Sequence, residues 1–264
     1  MLNFYYARED KAFLEYFDAL CDMAVLALRA NNEAMIRQIL EELMGAAHNA
    51  KSVSVDPIRQ RIRSIFSEME SYLEKCASLR FSEGCRDNMS EAMGSLDDYS
   101  LLLQQEWQIM ASAMRSEKVS TLFPRVAFVG SGALPVSALI LAEKYNLEVV
   151  CVDNDEEAIS LSKEIFSRSQ NRKITAVESG GQDFDYSGVD IVFLASLAQP
   201  KLEILKQIRN FSVRGVITRD PIGPFDAFYE PVEQKILAQA GFEIVTSSAP
   251  AENVMHRSLF LKPV

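Results

Sequence analysis

Histidine is almost missing from this chain. Only His48 and His256 occur, in opposite halves, and no nucleophile-elbow sequence accompanies them, so a Ser-His-Asp hydrolase is weakly supported. Cysteine is nearly as scarce. Cys21, Cys76, Cys85 and Cys151 are scattered without a C-x-x-C pair, whereas structural zinc ligands usually arrive in closely spaced pairs. They read as thiols of a reducing compartment, and no metal site is expected. No run approaches the roughly 18 apolar residues of a membrane span. The opening MLNFYYARED lacks a basic segment followed by an apolar one, so neither a span nor a leader is predicted, and a cytoplasmic protein is expected. Basic residues are outnumbered, 27 against 37 acidic, for a net charge of -10. A surface of that sign repels phosphate backbones and anionic lipid, which disfavours nucleic acid and membrane as partners.

What is present suffices for a substantial core: 264 residues, 48% of them hydrophobic. Up to about residue 118 the apolar positions recur at helical spacing, as in Phe13, Leu14, Phe17, Leu20, Cys21, Ala24 and Leu28. Asp56-Pro57 reads as an N-cap and first-turn proline opening a helix with Ile58, Ile62, Ile65, Met69, Tyr72, Leu73 and Cys76 on one face. A further helix is predicted from near Ser95 to Met114, with Asp98 in capping-box position. After Phe123-Pro124 the pattern changes to short β-branched runs, RVAFVG, LEVVCVD, KITAVES, VDIVFLA, RGVITR, FEIVTSS and RSLFLK. Helical stretches lie between them near 134–145, 155–169, 199–210 and 230–240. This alternation predicts an α/β fold with a Rossmann-like, doubly wound parallel sheet whose last two strands pair antiparallel. Six parallel strands closed by one antiparallel strand resemble the class I methyltransferase layout, a likeness of fold alone. The expected division is a helical substrate-binding domain over 1–120 and a cofactor-binding domain over 121–264.

The first strand ends in Gly130-Ser131-Gly132. Such a turn lets the backbone approach a ligand closely, although many sheets use it with nothing bound. Asp153, at the end of the next strand, adds a carboxylate able to accept both hydroxyls of a ribose. The third glycine of a dinucleotide fingerprint would fall at Pro135, after Leu134, which weakens the case for a pyrophosphate. S-adenosylmethionine, which has no phosphate, fits better. Asn154 is expected beside the ribose, Gln182 and Asp183 near the adenine, and Ala195, Ser196 and Leu197 at the end of the fourth strand. Asp183 and Ser196 also read as ordinary loop and cap residues.

Taken together, GSGALPVSALILA, VDNDEEAISLS, DIVFLASLA and RDPIGPFDAFYEP resemble nicotianamine synthase and its shorter bacterial relatives, the opine-metallophore aminobutanoyltransferases. In the helical half, SEMESYLE (Ser67 to Glu74) is similar to the family's SEAExLLE. Tyr99, Leu102 and Glu106 match its tyrosine, leucine and glutamate spacing, and Pro250 to Lys262 resembles its closing strand. The sequence departs at Ala133, where the family has proline, at Asp220, where a small residue is usual, and at His256, where asparagine is usual. The chain is shorter than the plant enzymes, which points to the bacterial branch.

The resemblance implies transfer of the 3-amino-3-carboxypropyl (aminobutanoate) group of S-adenosylmethionine to an amine, with histidine of either chirality as the leading acceptor and methylthioadenosine released. The expected product is a nicotianamine-like metallophore precursor, passed to an opine-type dehydrogenase. The metal belongs to the final chelator. The attacking amine must lose a proton, so a nearby carboxylate is required. About 100° per residue places Glu68 and Glu70 on opposite borders of the apolar stripe, with Glu74 pointing mostly away. Glu68 is the first choice of base and Glu70 the second, against the alternative of a solvated flank. Tyr99 is expected to hydrogen-bond an amine or to be a core tyrosine. Glu106 holds either a substrate ammonium or a partner arginine. Arg219 clamps a substrate carboxylate or pairs with Asp220 or another acid. Tyr229 lines the cleft or packs the next helix. His256 is expected to be structural. The apolar helices leave room for a homodimer interface. Two other functions stay open, a small-molecule N-methyltransferase and a non-enzymatic S-adenosylmethionine sensor.

Overall fold

The computed structural model describes residues 2–49, 55–82, 96–115, 124–168, 173–249 and 255–264. The first helices are α1 (Leu2–Arg29) and α2 (Glu33–Asn49). The turn between them is closed by Asn32, whose side-chain oxygen accepts the Met35 N–H at 3.1 Å. Asp56 does not cap the next helix as predicted. It is the first residue of a 3-10 turn (Asp56–Ile58) whose N-cap position is Val55, and its carboxylate pairs with Arg59 at 2.7 Å. Helix α3 (Arg59–Ser82) follows and buries Ile62, Ile65, Phe66, Met69, Leu73 and Ala77. Helix α4 (Leu96–Arg115) buries Leu102, Leu103, Glu106 and Met110. The start predicted near Ser95, and Cys85, lie outside the described residues.

Seven strands then build one sheet: β1 (Arg125–Val129), β2 (Glu148–Asp153), β3 (Ile174–Glu178), β4 (Ile191–Leu194), β5 (Gly215–Pro221), β6 (Phe242–Ser247) and β7 (His256–Pro263). Their order is β3-β2-β1-β4-β5-β7-β6. The first five are parallel to their neighbours, and β7 runs antiparallel between β5 and β6. This is the predicted α/β class. The antiparallel strand sits inside the edge strand. Helices α5 (Val136–Lys144), α6 (Glu156–Arg168), α7 (Lys201–Arg209) and α8 (Gln234–Ala240) make the crossovers, close to the predicted stretches. A 3-10 segment (Gly223–Ala227) precedes α8.

Strand alternation divides the core. Val126, Phe128, Cys151 and Phe193 face one side with α4, α5 and α6, while Ala127, Val129, Val152 and Val192 face the other with α7 and α8. A third cluster joins α1, α2 and α3 to Ala227, Phe228 and Tyr229. Helix α3 therefore touches two cores. Its first turns pack in the helical cluster, and Ala77 packs with the sheet. Lys75 fixes this docking through 2.7 Å ion pairs to both Asp155 and Glu157 at the start of α6. Among the described residues, no helix is long and apolar enough to cross a membrane.

Candidate active site

Beta strands β1 and β4 are sheet neighbours whose following crossovers leave in opposite directions along the strand order, opening a crevice at their carboxyl ends. The Gly130–Gly132 turn lies there. Gly130 (φ 76°) and Gly132 (φ 68°) occupy the left-handed region, where a side chain is strained. A Cβ on Gly130 would come within 3.0 Å of Ala198 and 3.2 Å of Ala195. One carboxylate sets the shape of this turn. Asp153 Oδ2 accepts the Gly132 N–H at 2.8 Å and Oδ1 accepts the Asp155 N–H at 3.0 Å. Each oxygen retains a free lone pair for a ribose hydroxyl. Ser131, Leu134 and Pro135 are buried behind the turn, and Asn154 is exposed beside it.

The turn after β3 and the turn after β4 complete the crevice. Gly181 lies against Val129, and Gln182 donates to Asp183 at 2.8 Å at the exposed rim. The Ala195 N–H bonds Val129 O at 3.0 Å, which brings the Ala195–Leu197 loop against β1. Leu197 packs toward the helical cluster. All the residues predicted to hold the cofactor thus occur at one sheet edge.

The carboxylates of α3 sort differently from the sequence reading. Glu68 is exposed, with Ser64 Oγ 3.4 Å away. Glu70 and Glu74, one turn apart, are half-buried. Burial raises the Glu70 carboxyl above the usual range. Glu74 does not point away. Its carboxylate abuts Gly132, where a Cβ would overlap Oε2, and it accepts the Ala133 N–H. Burial first, then repulsion from Glu70 and Asp153, push its pKa to about 8. The reason is packing on two sides: the helical stripe marks only the contact with α1 and α2, while the glycine turn covers another face of α3. Glu74 and Asp153 therefore meet at the turn, with Glu70 near Glu74 and within electrostatic reach of Arg37. Among the described residues, no three potential ligands are placed to share a metal ion.

Glu106 and Arg219 meet each other. Arg219 Nε and Nη2 donate to the two Glu106 oxygens at 2.8 and 3.2 Å, and Ser258 Oγ donates to Oε1 at 3.1 Å. Arg219 also donates to Ser137 Oγ at 3.1 Å and lies over Phe128. Asp220 is not its partner. Asp220 accepts from Arg257 at 2.9 Å and from the Val232 N–H at 2.8 Å. Adjacent strand residues face opposite sides of the sheet, so this separation is required. Tyr229 is buried edge-on to Phe66 and to His256, at centroid distances of 5.1 and 4.3 Å. Tyr99 belongs to α4, and its side chain lies outside the described residues.

Two cations escaped the sequence reading. Lys201 is 2% exposed and donates to Ser196 O at 2.8 Å. Arg63 donates to Asp226 O at 2.7 Å. A signal for Lys201 did exist, because it precedes Ile204, Leu205 and Ile208 on the buried stripe of α7.

Comparison with known proteins agrees with this architecture. A family model described as nicotianamine synthase protein matches residues 28–263. The L-histidine 2-aminobutanoyltransferase of Pseudomonas aeruginosa (strain UCBPP-PA14) is 37% identical over 119 residues, 41% of this chain and 43% of that protein. The match thus spans less than half of that relative's length. Nicotianamine synthase 2 of Arabidopsis thaliana is 24% identical over 93% of this chain and 81% of its own. Among solved structures, MtNAS in complex with MTA and tNA superposes with a TM-score of 0.73 at 20% identity, covering 94% of this chain and 98% of that one. A glutamate-to-glutamine variant of MtNAS with S-adenosylmethionine gives 0.68 at 18% identity over the same shares. At these identities the structures establish the shared fold.

Proposed function

Because the chain belongs to the nicotianamine synthase family, we propose that it transfers the aminobutanoate group of S-adenosylmethionine to the α-amino group of an amino acid. The observation that carries this reading is the meeting of Glu74 and Asp153 at the glycine turn, with Glu70 one helical turn away along α3. A cluster of that sign suits a cosubstrate carrying a sulfonium and an ammonium, and an acceptor that arrives as an ammonium. Asp153 takes the ribose hydroxyls. Gln182 and Asp183 border the adenine, and the Ala195–Leu197 loop faces the methionine part. Glu70 and Glu74 hold the incoming amine and accept its proton. The freed nitrogen pair attacks the methionine γ-carbon, the carbon–sulfur bond breaks with its electrons going to sulfur, and methylthioadenosine leaves. A carboxylate titrating near neutrality is matched to that proton transfer.

Histidine is the proposed acceptor, supported by the name of the Pseudomonas relative, and an opine-type dehydrogenase is the proposed consumer of the product. Tyr99 as a hydrogen-bonding partner of the amine and a homodimeric assembly are carried with this proposal. Mass spectrometry of the nucleoside released from S-adenosylmethionine with L- and D-histidine tests it. Methylthioadenosine with an acceptor heavier by one aminobutanoate supports transfer. Adenosylhomocysteine indicates methyl transfer, and tight binding without turnover indicates a sensor. Glu70→Gln and Glu74→Gln are expected to lower the rate by roughly 10²–10⁴-fold. If Glu68→Gln loses the most, the base has been misassigned.

A further inference from the structure

An amino-acid acceptor brings a carboxylate as well as an amine, and a carboxylate leaving water needs a cationic or hydrogen-bonding partner. Arg219 already has one in Glu106, held through both guanidinium edges. Lys201 and Arg63 are differently placed. Lys201 uses one of its three ammonium protons on Ser196 O. Arg63 uses Nη2 on Asp226 O, while its buried Nε has no acceptor. His256 is 7% exposed and its buried Nε2 is also without a partner. Lys201 is within electrostatic reach of both Arg63 and His256. Burial first, then Arg219 and Lys201, lower the imidazole pKa to about 3, so the ring is neutral and able to donate one N–H.

The nearby acids are committed elsewhere or exposed. Asp226 shares Arg59 with Asp56, at 3.1 and 2.7 Å, and Asp220 is held by Arg257 at 2.9 Å. Glu233 is exposed, and Glu230, which accepts from Gln199, is within electrostatic reach of both Arg63 and Lys201. None of them supplies an acceptor to Arg63 Nε or His256 Nε2. Buried donors without a partner are costly and are satisfied by a two-oxygen anion.

We infer that Arg63, Lys201 and His256 form the subsite that takes the α-carboxylate of the amino-acid acceptor, beside the Ser196–Leu197 loop. This rests on the aminobutanoyl-transfer reading above. It assigns the acceptor's two charged groups to two clusters, the amine to Glu70 and Glu74 and the carboxylate to these three residues.

The test compares an accepted amino acid with its amide, histidine with histidinamide, which keeps the amine and side chain without the anion. Arg63→Gln is the first variant and Lys201→Met the second, with thermal melting and calorimetric S-adenosylmethionine affinity measured alongside. The expected result is that wild type prefers the acid and that each variant lowers this preference by roughly tenfold or more through acceptor KM. Cofactor affinity is unchanged in Arg63→Gln. Should Lys201→Met fail to fold, Arg63→Gln decides alone. Equal use of acid and amide by wild type, or an undiminished preference in a folded Arg63→Gln protein, overturns the subsite. If wild type transfers aminobutanoate to no amino acid, the transfer reading itself fails and the subsite with it.

Discussion

Replacing Glu106 by glutamine tests whether the Glu106–Arg219 pair holds the structure together or serves the substrate. Glu106 is inaccessible to solvent and the Arg219 side chain is 11% exposed. The glutamine keeps the shape and one acceptor oxygen, but turns a second oxygen into an amide that faces guanidinium donors. Arg219 then remains buried without its counter-charge. Breaking a buried pair from one side costs about 3–5 kcal/mol. For a chain of this size, about 2–4 °C per kcal/mol lowers the melting temperature by roughly 6–20 °C. Urea unfolding at pH 7 gives the number directly. Removing both partners, as Glu106→Leu with Arg219→Met, should recover much of the loss, because the uncompensated charge goes too. A Glu106→Gln protein within about 1 kcal/mol of wild type but unable to bind acceptor would refute this reasoning and return Glu106 to substrate contact.

Other outcomes follow from the same geometry. Gly132→Ala places a Cβ onto the Glu74 carboxylate in a left-handed backbone; calorimetry should show at least tenfold weaker S-adenosylmethionine binding, with about 1 kcal/mol or more lost from the backbone alone. Glu74 binds a proton more tightly folded than unfolded, so its contribution to stability is present at low pH and is lost as pH rises from about 4.5 to about 8. Urea titrations at either end of that window should show wild type losing stability relative to Glu74→Gln as pH rises. A cationic cosubstrate should also expel this proton, and calorimetry near pH 7 in buffers of different ionisation enthalpy would detect the release. His256 has the opposite sign: stability present above about 6.5 falls as pH drops toward 3, and its NMR resonances should not titrate above pH 5.

The fold was legible because alternating short apolar runs and amphipathic stretches leave few topologies open. The candidate crevice was legible for a related reason: Gly130, Gly132 and Asp153 sit at strand ends, where the chain's own order brings them together. Glu74 was misread because a helical wheel reports a single interface, and α3 has two. For Arg219 the sequence left a substrate carboxylate, Asp220 or another acid open, and for Glu106 a substrate ammonium or a partner arginine; strand alternation excludes Asp220, and the two residues pair with each other. They stand 113 residues apart, a contact set by the docking of α4 on the sheet, which local periodicity does not encode. The Arg63, Lys201 and His256 cluster draws on α3, α7 and β7, and no single segment announces it.

The position of β7 between β5 and β6 has a consequence for the order of assembly. Strand β6 precedes β7 in the chain, yet it has no partner in the sheet until β7 has docked against β5. The same event delivers Ser258 to Glu106, Arg257 to Asp220 and His256 to Tyr229. A nascent or truncated chain lacking β7 therefore leaves Asp220 without Arg257 and Glu106 without Ser258, beside an open sheet edge at β5. Conditions that slow docking of this one strand should favour aggregation through that edge before any loss of helical content.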